Sequence, residues 1–163
     1  MIRRAKCSDV EDITAIYNQA IAPGVFATSQ VSPDTPSERL AWLEQHQGPY
    51  AAFVYQDDSR KTIAWCSLNA FSVRPEYIEL PEVSFYVDEK HRRRGIGKLM
   101  LAHLIDTANT FGLRGLFGRT FERNVGAIKN FNLFGFRRVA TLRELSRIRG
   151  EWHNDVWLWK QLR

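Results

Sequence analysis

Glu82-Val83-Ser84-Phe85-Tyr86-Val87, followed closely by His91-Arg92-Arg93-Arg94-Gly95-Ile96-Gly97-Lys98, is the stretch that decides the fold. Its first half is β-branched and aromatic, the composition of a half-buried strand. From Ile96 onward, Leu99, Met100, His103, Leu104 and Thr107 recur at helical spacing. The two glycines therefore stand at a strand-to-helix turn, where they let the backbone fold tightly and bring several N–H groups to one spot. The helix dipole adds partial positive charge there, and the arginines add whole charges. The pattern predicts a phosphate cradle over Arg92–Lys98.

Upstream of this unit, Ile2 to Lys6 reads as a short strand. Ser8-Asp9-Val10-Glu11 has the spacing of a capping box opening a helix to about Ala20. A loop with Pro23, Gly24 and Pro33 leads to Thr35-Pro36-Ser37-Glu38, which opens a second helix with Pro at its first position. Tyr50–Tyr55 and Thr62–Phe71 are strands joined through the turn at Asp57-Asp58-Ser59-Arg60. Downstream, the cradle helix runs to near Gly112. Leu116–Phe121 is a strand, and Val125–Phe134 a helix ended by Gly135. Phe136–Leu145 and Glu151–Gln161 are strands around a turn at Arg149-Gly150. The order β-α-α-β-β-β-α-β-α-β-β predicts an α+β (mixed α/β) domain spanning residues 1–163, a mixed sheet covered by helices. Hairpins interrupt the strand–helix alternation, which disfavours a Rossmann unit.

A chain of 163 residues carrying a formal charge of +5 is long enough for one substantial core and suits an anionic ligand. The arginines concentrate at the cradle and do not interleave with aromatic residues, so nucleic acid is not an expected partner. Cys7 and Cys66 stand far apart without metal-ligand spacing, and the four histidines show none either. Free thiols, a reducing cytoplasmic setting and no metal are expected. No apolar run is long enough to span a membrane, so no membrane partner is expected.

The strand, Arg92-x-x-Gly95-x-Gly97 and helix together resemble the acetyl-CoA-binding motif of the GNAT N-acetyltransferases. Within that family the chain resembles the phosphinothricin acetyltransferase branch. The matching pieces run along the whole chain: Ile16-Tyr17-Asn18, Thr35-Pro36-x-Glu38-Arg39, Arg74-Pro75-x-Tyr77, Asn124-x-x-Ala127-Ile128, Gly135-Phe136, and Leu142-Arg143-Glu144 through Gly150-x-Trp152-His153.

The resemblance implies a GNAT fold, with a central twisted mixed sheet flanked by helices and splayed at the cofactor strand. It also implies transfer of acetyl from acetyl-CoA to the primary amine of a small amino acid or analogue. N–H groups of Arg93 to Lys98, with Arg92, would hold the pyrophosphate. Backbone of Phe85, Tyr86 and Val87 would pair with the pantetheine as an added strand does. Asn124 would make a polar contact on the pantetheine side. Glu82 is the expected general base, since an ammonium must lose a proton before its nitrogen can attack.

Arg74 and Tyr77 are expected to grip the acidic end of the substrate, with Phe26 lining the same pocket. His153 and Trp152 suit packing or hydrogen bonding. Seven residues after Asn124, many relatives carry a Tyr or His that protonates the departing thiolate; here Phe131 has no such proton, and Asn130 precedes it. The same fold also admits a protein N-terminus or lysine as acceptor, or a non-catalytic CoA-binding module. The aromatic last strand makes a homodimer an expectation.

Overall fold

A computed structural model describes all 163 residues. Seven strands form one sheet in the order β1-β2-β3-β4-β5-β7-β6. They are β1 (Ile2–Arg4), β2 (Ala52–Gln56), β3 (Thr62–Asn69), β4 (Glu82–Val87), β5 (Gly115–Phe121), β6 (Arg137–Ile148) and β7 (Glu151–Gln161). Neighbours are antiparallel except β4 and β5, which are parallel. This is the mixed sheet that the alternation of hairpins and helices predicts.

Four helices cover it: α1 (Val10–Ala20), α2 (Pro36–Glu44), α3 (Ile96–Thr110) and α4 (Val125–Leu133). On the α3 side, Met100, Leu101 and Leu104 are fully buried in one cluster with Ala64, Leu68, Leu116 and Leu158. On the α1 side, Ile13, Ile16 and Tyr17 pack with Val54 and Trp65. Burying side chains of Leu or Ile size contributes roughly 1.5–3 kcal/mol each, so these two layers hold the sheet between the helices.

The two expected capping boxes have different fates. Thr35 Oγ1 accepts the Glu38 N–H at 3.3 Å, and Glu38 Oε2 accepts the Thr35 N–H at 2.8 Å, so the box before α2 is complete. The box at Ser8 and Glu11 does not form. A 3-10 turn over Cys7–Asp9 precedes α1 instead, and buried Asp9 accepts the Lys6 N–H at 2.8 Å while pairing with Arg3 at 2.7 Å. The Arg3 partner on β1 holds Asp9 at this turn and neutralises a carboxylate that the fold buries.

The feature that positions a site is the parting of β4 from β5. Along β3, β4 is paired from Asn69↔Glu82 to Ala64↔Val87, whereas against β5 the register is confined to Glu82↔Phe117. Beyond Glu82 the two strands diverge, giving the splay expected at this strand. No helix of the structure is long and apolar enough to cross a membrane.

Candidate active site

The divergence opens a cleft of about 1450 Å³, walled by β4, the Arg92–Lys98 turn, the end of β5, α4 and the loop from Gly24 to Gln30. Side chains alternate along β4, so Glu82, Ser84 and Tyr86 face the α1 side, while Val83, Phe85 and Val87 face the α3 side.

The turn into α3 has the geometry its glycines predict. Gly95 is the N-cap of α3 at φ +82°, and Arg93 also adopts a positive φ of 61°. Arg92 Nε donates to Val87 O at 3.1 Å, tying the turn to the end of β4. The N–H groups of Arg93, Arg94, Gly95, Ile96 and Gly97 have no acceptor within the protein. Five free amides at the positive end of a fifteen-residue helix are an arrangement suited to an anion. Arg92, Arg93 and Lys98 line the cleft, while Arg94 lies outside its wall.

Along β4, the bond from Asp88 N–H to Ile63 O sets the alternation of the antiparallel ladder. The backbone of Ser84 and Tyr86 is turned to β3, and that of Val83, Phe85 and Val87 is turned to the split. The free edge is therefore offered by Phe85 and by the Val87 N–H, the Val87 carbonyl being held by Arg92. Tyr86 contributes its ring, which stacks on Trp65 at 4.7 Å and meets Tyr17 edge-on at 5.2 Å. The Asn124 side chain is partly committed: its Oδ1 accepts the Ala127 N–H at 3.1 Å as the N-cap of α4. Its amide NH₂ remains available to the cleft that Asn124 lines.

Glu82 sits at the apex, where the strands part. Burial pushes its carboxyl above the usual carboxylate range, and the Arg119 guanidinium, 3.4 Å away, opposes that rise. A half-buried carboxylate with raised proton affinity is a competent base for an ammonium.

The substrate end departs from expectation. Phe26 does line the cleft, with its ring 5.4 Å from His153 and under the Arg123 guanidinium at 5.3 Å. Arg74 and Tyr77 do not. A 3-10 turn over Pro75–Tyr77 carries them away from the wall, Arg74 is exposed, and Tyr77 packs edge-on against Phe71 at 6.0 Å. Arg119 and Arg123 are the arginines at this end of the cleft. Sequence reading missed Arg119, although a charge between Phe117 and Phe121 at strand spacing is itself a signal. Asp155 was missed too: buried and lining the cleft, it accepts from Ser146 Oγ at 2.8 Å.

Phe131 is buried between Phe85 and Phe136, at 5.6 and 4.9 Å, above Gly118. It belongs to the floor of the cleft and carries no proton to give. No group of three or more His, Cys, Asp or Glu side chains is placed to hold a metal.

The family model of the acetyltransferase (GNAT) domain matches residues 2–157. The chain belongs to the GNAT acetyltransferases. This acetyltransferase is 30% identical to the phosphinothricin N-acetyltransferase of Streptomyces coelicolor over 154 residues, covering 91% of this chain and 88% of the relative. It is 26% identical to the L-methionine sulfoximine/L-methionine sulfone acetyltransferase of Salmonella typhimurium, covering 99% and 94%. The yncA structure from Salmonella typhimurium, solved with its cofactor acetyl-CoA, superposes with a TM-score of 0.93 at 26% identity, covering 100% of this chain and 94% of that one. The free amides at Arg93–Gly97, the left-handed Gly95 and the open β4 edge fit acetyl-CoA, the family's acetyl donor. The acetyltransferase is accordingly an acetyl-CoA-dependent enzyme.

Proposed function

We propose that this acetyltransferase moves the acetyl group of acetyl-CoA to the primary amine of a small amino acid or analogue, of the phosphinothricin or methionine sulfone and sulfoximine type. The observation that carries the reading is the placement of Glu82. It stands half-buried at the apex of the split, between the free edge of β4 and the Arg119 side chain. Relatives at 30% and 26% identity over most of the chain carry those activities in their names.

In this reading the amides of Arg93–Gly97, with Arg92 and Lys98, hold the pyrophosphate, and the Phe85 and Val87 backbone pairs with the pantetheine. Bound acetyl-CoA supplies an activated acetyl thioester. Glu82 takes a proton from the acceptor ammonium, directly or through water, and so frees the nitrogen lone pair for attack. Phe131 gives no proton to the departing thiolate. Thiols have pKa values near 8.5, so a thiolate is a tolerable leaving group without it. Arg119 and Arg123, being at the cleft, replace Arg74 as the cations facing an acidic substrate group.

The single-domain extent and a homodimer belong to the same proposal. Val139, Leu145 and Trp152 stay about half exposed on the β6–β7 hairpin, an apolar surface that a second copy can cover. Unpaired Cys7 and Cys66 suit a reducing compartment.

The test is thiol release from acetyl-CoA against all amino acids, phosphinothricin, methionine sulfone, methionine sulfoximine, and a peptide panel. Turnover with one or more free amino-acid amines is expected. Turnover confined to peptides, or tight CoA binding without turnover on any amine, overturns the reading.

A further inference from the structure

Beside the main cleft lies a smaller pocket of about 230 Å³, on the α1 side of β4. Tyr17, Gln30, Asn69, Ser84 and Tyr86 line both, so the two spaces adjoin along these residues. Its floor is unusual. Arg39 is buried, with its guanidinium over the rings of Tyr17 at 4.2 Å and Trp42 at 4.8 Å. It pairs with Asp34 through Nη2, while Arg39 Nε is buried with no partner. The indole Nε1 of Trp65, also buried, has no partner either. Two residues of one small cavity's lining thus each carry a buried donor without an acceptor, which is rare in folded proteins because each forfeits a hydrogen bond that water would have made.

We propose that this side pocket receives the oxygen-bearing end of the acceptor substrate, with Arg39 Nε and Trp65 Nε1 as the specificity-determining donors. Three features fix the chemistry. The unmet groups are donors, so they call for an acceptor and leave a thioether or alkyl end unrewarded. Asp34 already neutralises the Arg39 charge, so the pocket offers hydrogen bonds without net positive charge. That favours a sulfone or sulfoximine oxygen over a full carboxylate. The aromatic walls suit the methylene chain of such a molecule.

The position agrees with the reacting end. Ser84 follows Glu82 on the same face of β4, about 7 Å further along the strand. Its hydroxyl is held by Asn69 Nδ2 at 3.1 Å, and the same Nδ2 donates to Glu82 O at 3.1 Å. An amine beside Glu82 and an oxygenated group above Trp65 are therefore the two ends of one small molecule. A substrate oxygen supplies these donors with the acceptor that the protein leaves unmet.

This inference rests on the proposed acceptor class, and the test separates the two. L-Methionine sulfone and L-methionine differ only by the two oxygens. Calorimetric titration of each into CoA-saturated enzyme reads binding without turnover. The wild type is expected to bind the sulfone about tenfold or more tighter, and Trp65→Phe to cut that preference roughly fivefold. Affinity for CoA should stay within about twofold, since Trp65 lies outside the CoA cleft. Should Trp65→Phe misfold, Arg39→Lys keeps the charge facing Asp34 while deleting the Nε donor, and the same loss is expected. Equal binding of the two ligands by the wild type overturns the inference, as does a preference that survives both variants or an equal loss for both ligands. If the sulfone binds preferentially but is never acetylated, the proposed function fails and the pocket assignment stands.

Discussion

Arg119 Nε lies 3.4 Å from Glu82 Oε1, two residues along β5 from Phe117, the register partner of Glu82. The contact couples the opening of the sheet to the strength of the base. Burial raises the proton affinity of Glu82 and Arg119 lowers it, so the cation sets how far the carboxyl rises. Arg119→Met removes the opposing influence. The acid limb of the kcat/KM profile, which reports the base in the free enzyme, should then move to higher pH. An acid limb that stays in place would show that Glu82 does not govern that limb.

The cradle rests on one backbone conformation. Gly95 holds φ +82°, and a Cβ at this position would meet nothing within 4 Å, so a methyl there brings strain and no clash. Gly95→Ala should lower stability by about 1 kcal/mol. It should also raise KM for acetyl-CoA roughly fivefold, as the amides lose alignment, with KM for the amine much less affected. Steady-state kinetics with each substrate varied in turn decide it.

The floor of the cleft depends on the absence of a side chain at Gly118. A Cβ there would sit 2.6 Å from Phe131 Cε1 and 2.7 Å from Cζ. Gly118→Ala should destabilise the fold by about 1–3 kcal/mol through overpacking. Adding Phe131→Leu, which withdraws the ring edge, should recover part of that loss. Strictly additive losses in a double-mutant cycle by denaturant unfolding would contradict the contact.

At the other end of the sheet, Asp9 and Arg3 bind the start of α1 to β1. Burial alone would push the Asp9 carboxyl up, but the Arg3 guanidinium, the Lys6 N–H and the Thr62 hydroxyl override it and hold it below its ordinary value. A depressed carboxyl contributes stability that is full above the unfolded value, about pH 4, and lost as pH falls through the folded value. Arg3→Ala leaves a buried carboxylate unpaired and should cost roughly 2–3 kcal/mol at neutral pH. The penalty should shrink on acidification. Unfolding curves at pH 7 and pH 3 compare the two.

Legibility in the sequence followed the range of the forces involved. The β4 strand, the cradle and α3 form one local unit, and period, glycine and charge alone located it to within a residue or two. Glu82 was accessible because its place follows from its strand. Arg74 and Tyr77 stand outside the cleft lining on a connection whose 3-10 turn is invisible to periodicity. The box at Ser8 does not form because Ser8 lies inside a 3-10 turn, where Asp9 pairs with Arg3 of β1, a tertiary contact that local spacing does not encode. Arg39 stood in the motif that opens α2, yet its unmet Nε emerges only once Tyr17, Trp42 and Trp65 close around it.

Whether Glu82 is the base is decided by kcat/KM for the best amine acceptor in Glu82→Gln, measured with KM for acetyl-CoA and with thermal stability. A raised folded carboxyl contributes stability below its unfolded value and loses it as pH rises through the folded one. At pH 7, Glu82→Gln should therefore leave the melting temperature unchanged or slightly higher. A base at the apex of the split requires a fall in kcat/KM of about 100-fold or more, with KM for acetyl-CoA within about twofold of wild type. A stable Glu82→Gln enzyme that keeps wild-type kcat/KM would contradict that role.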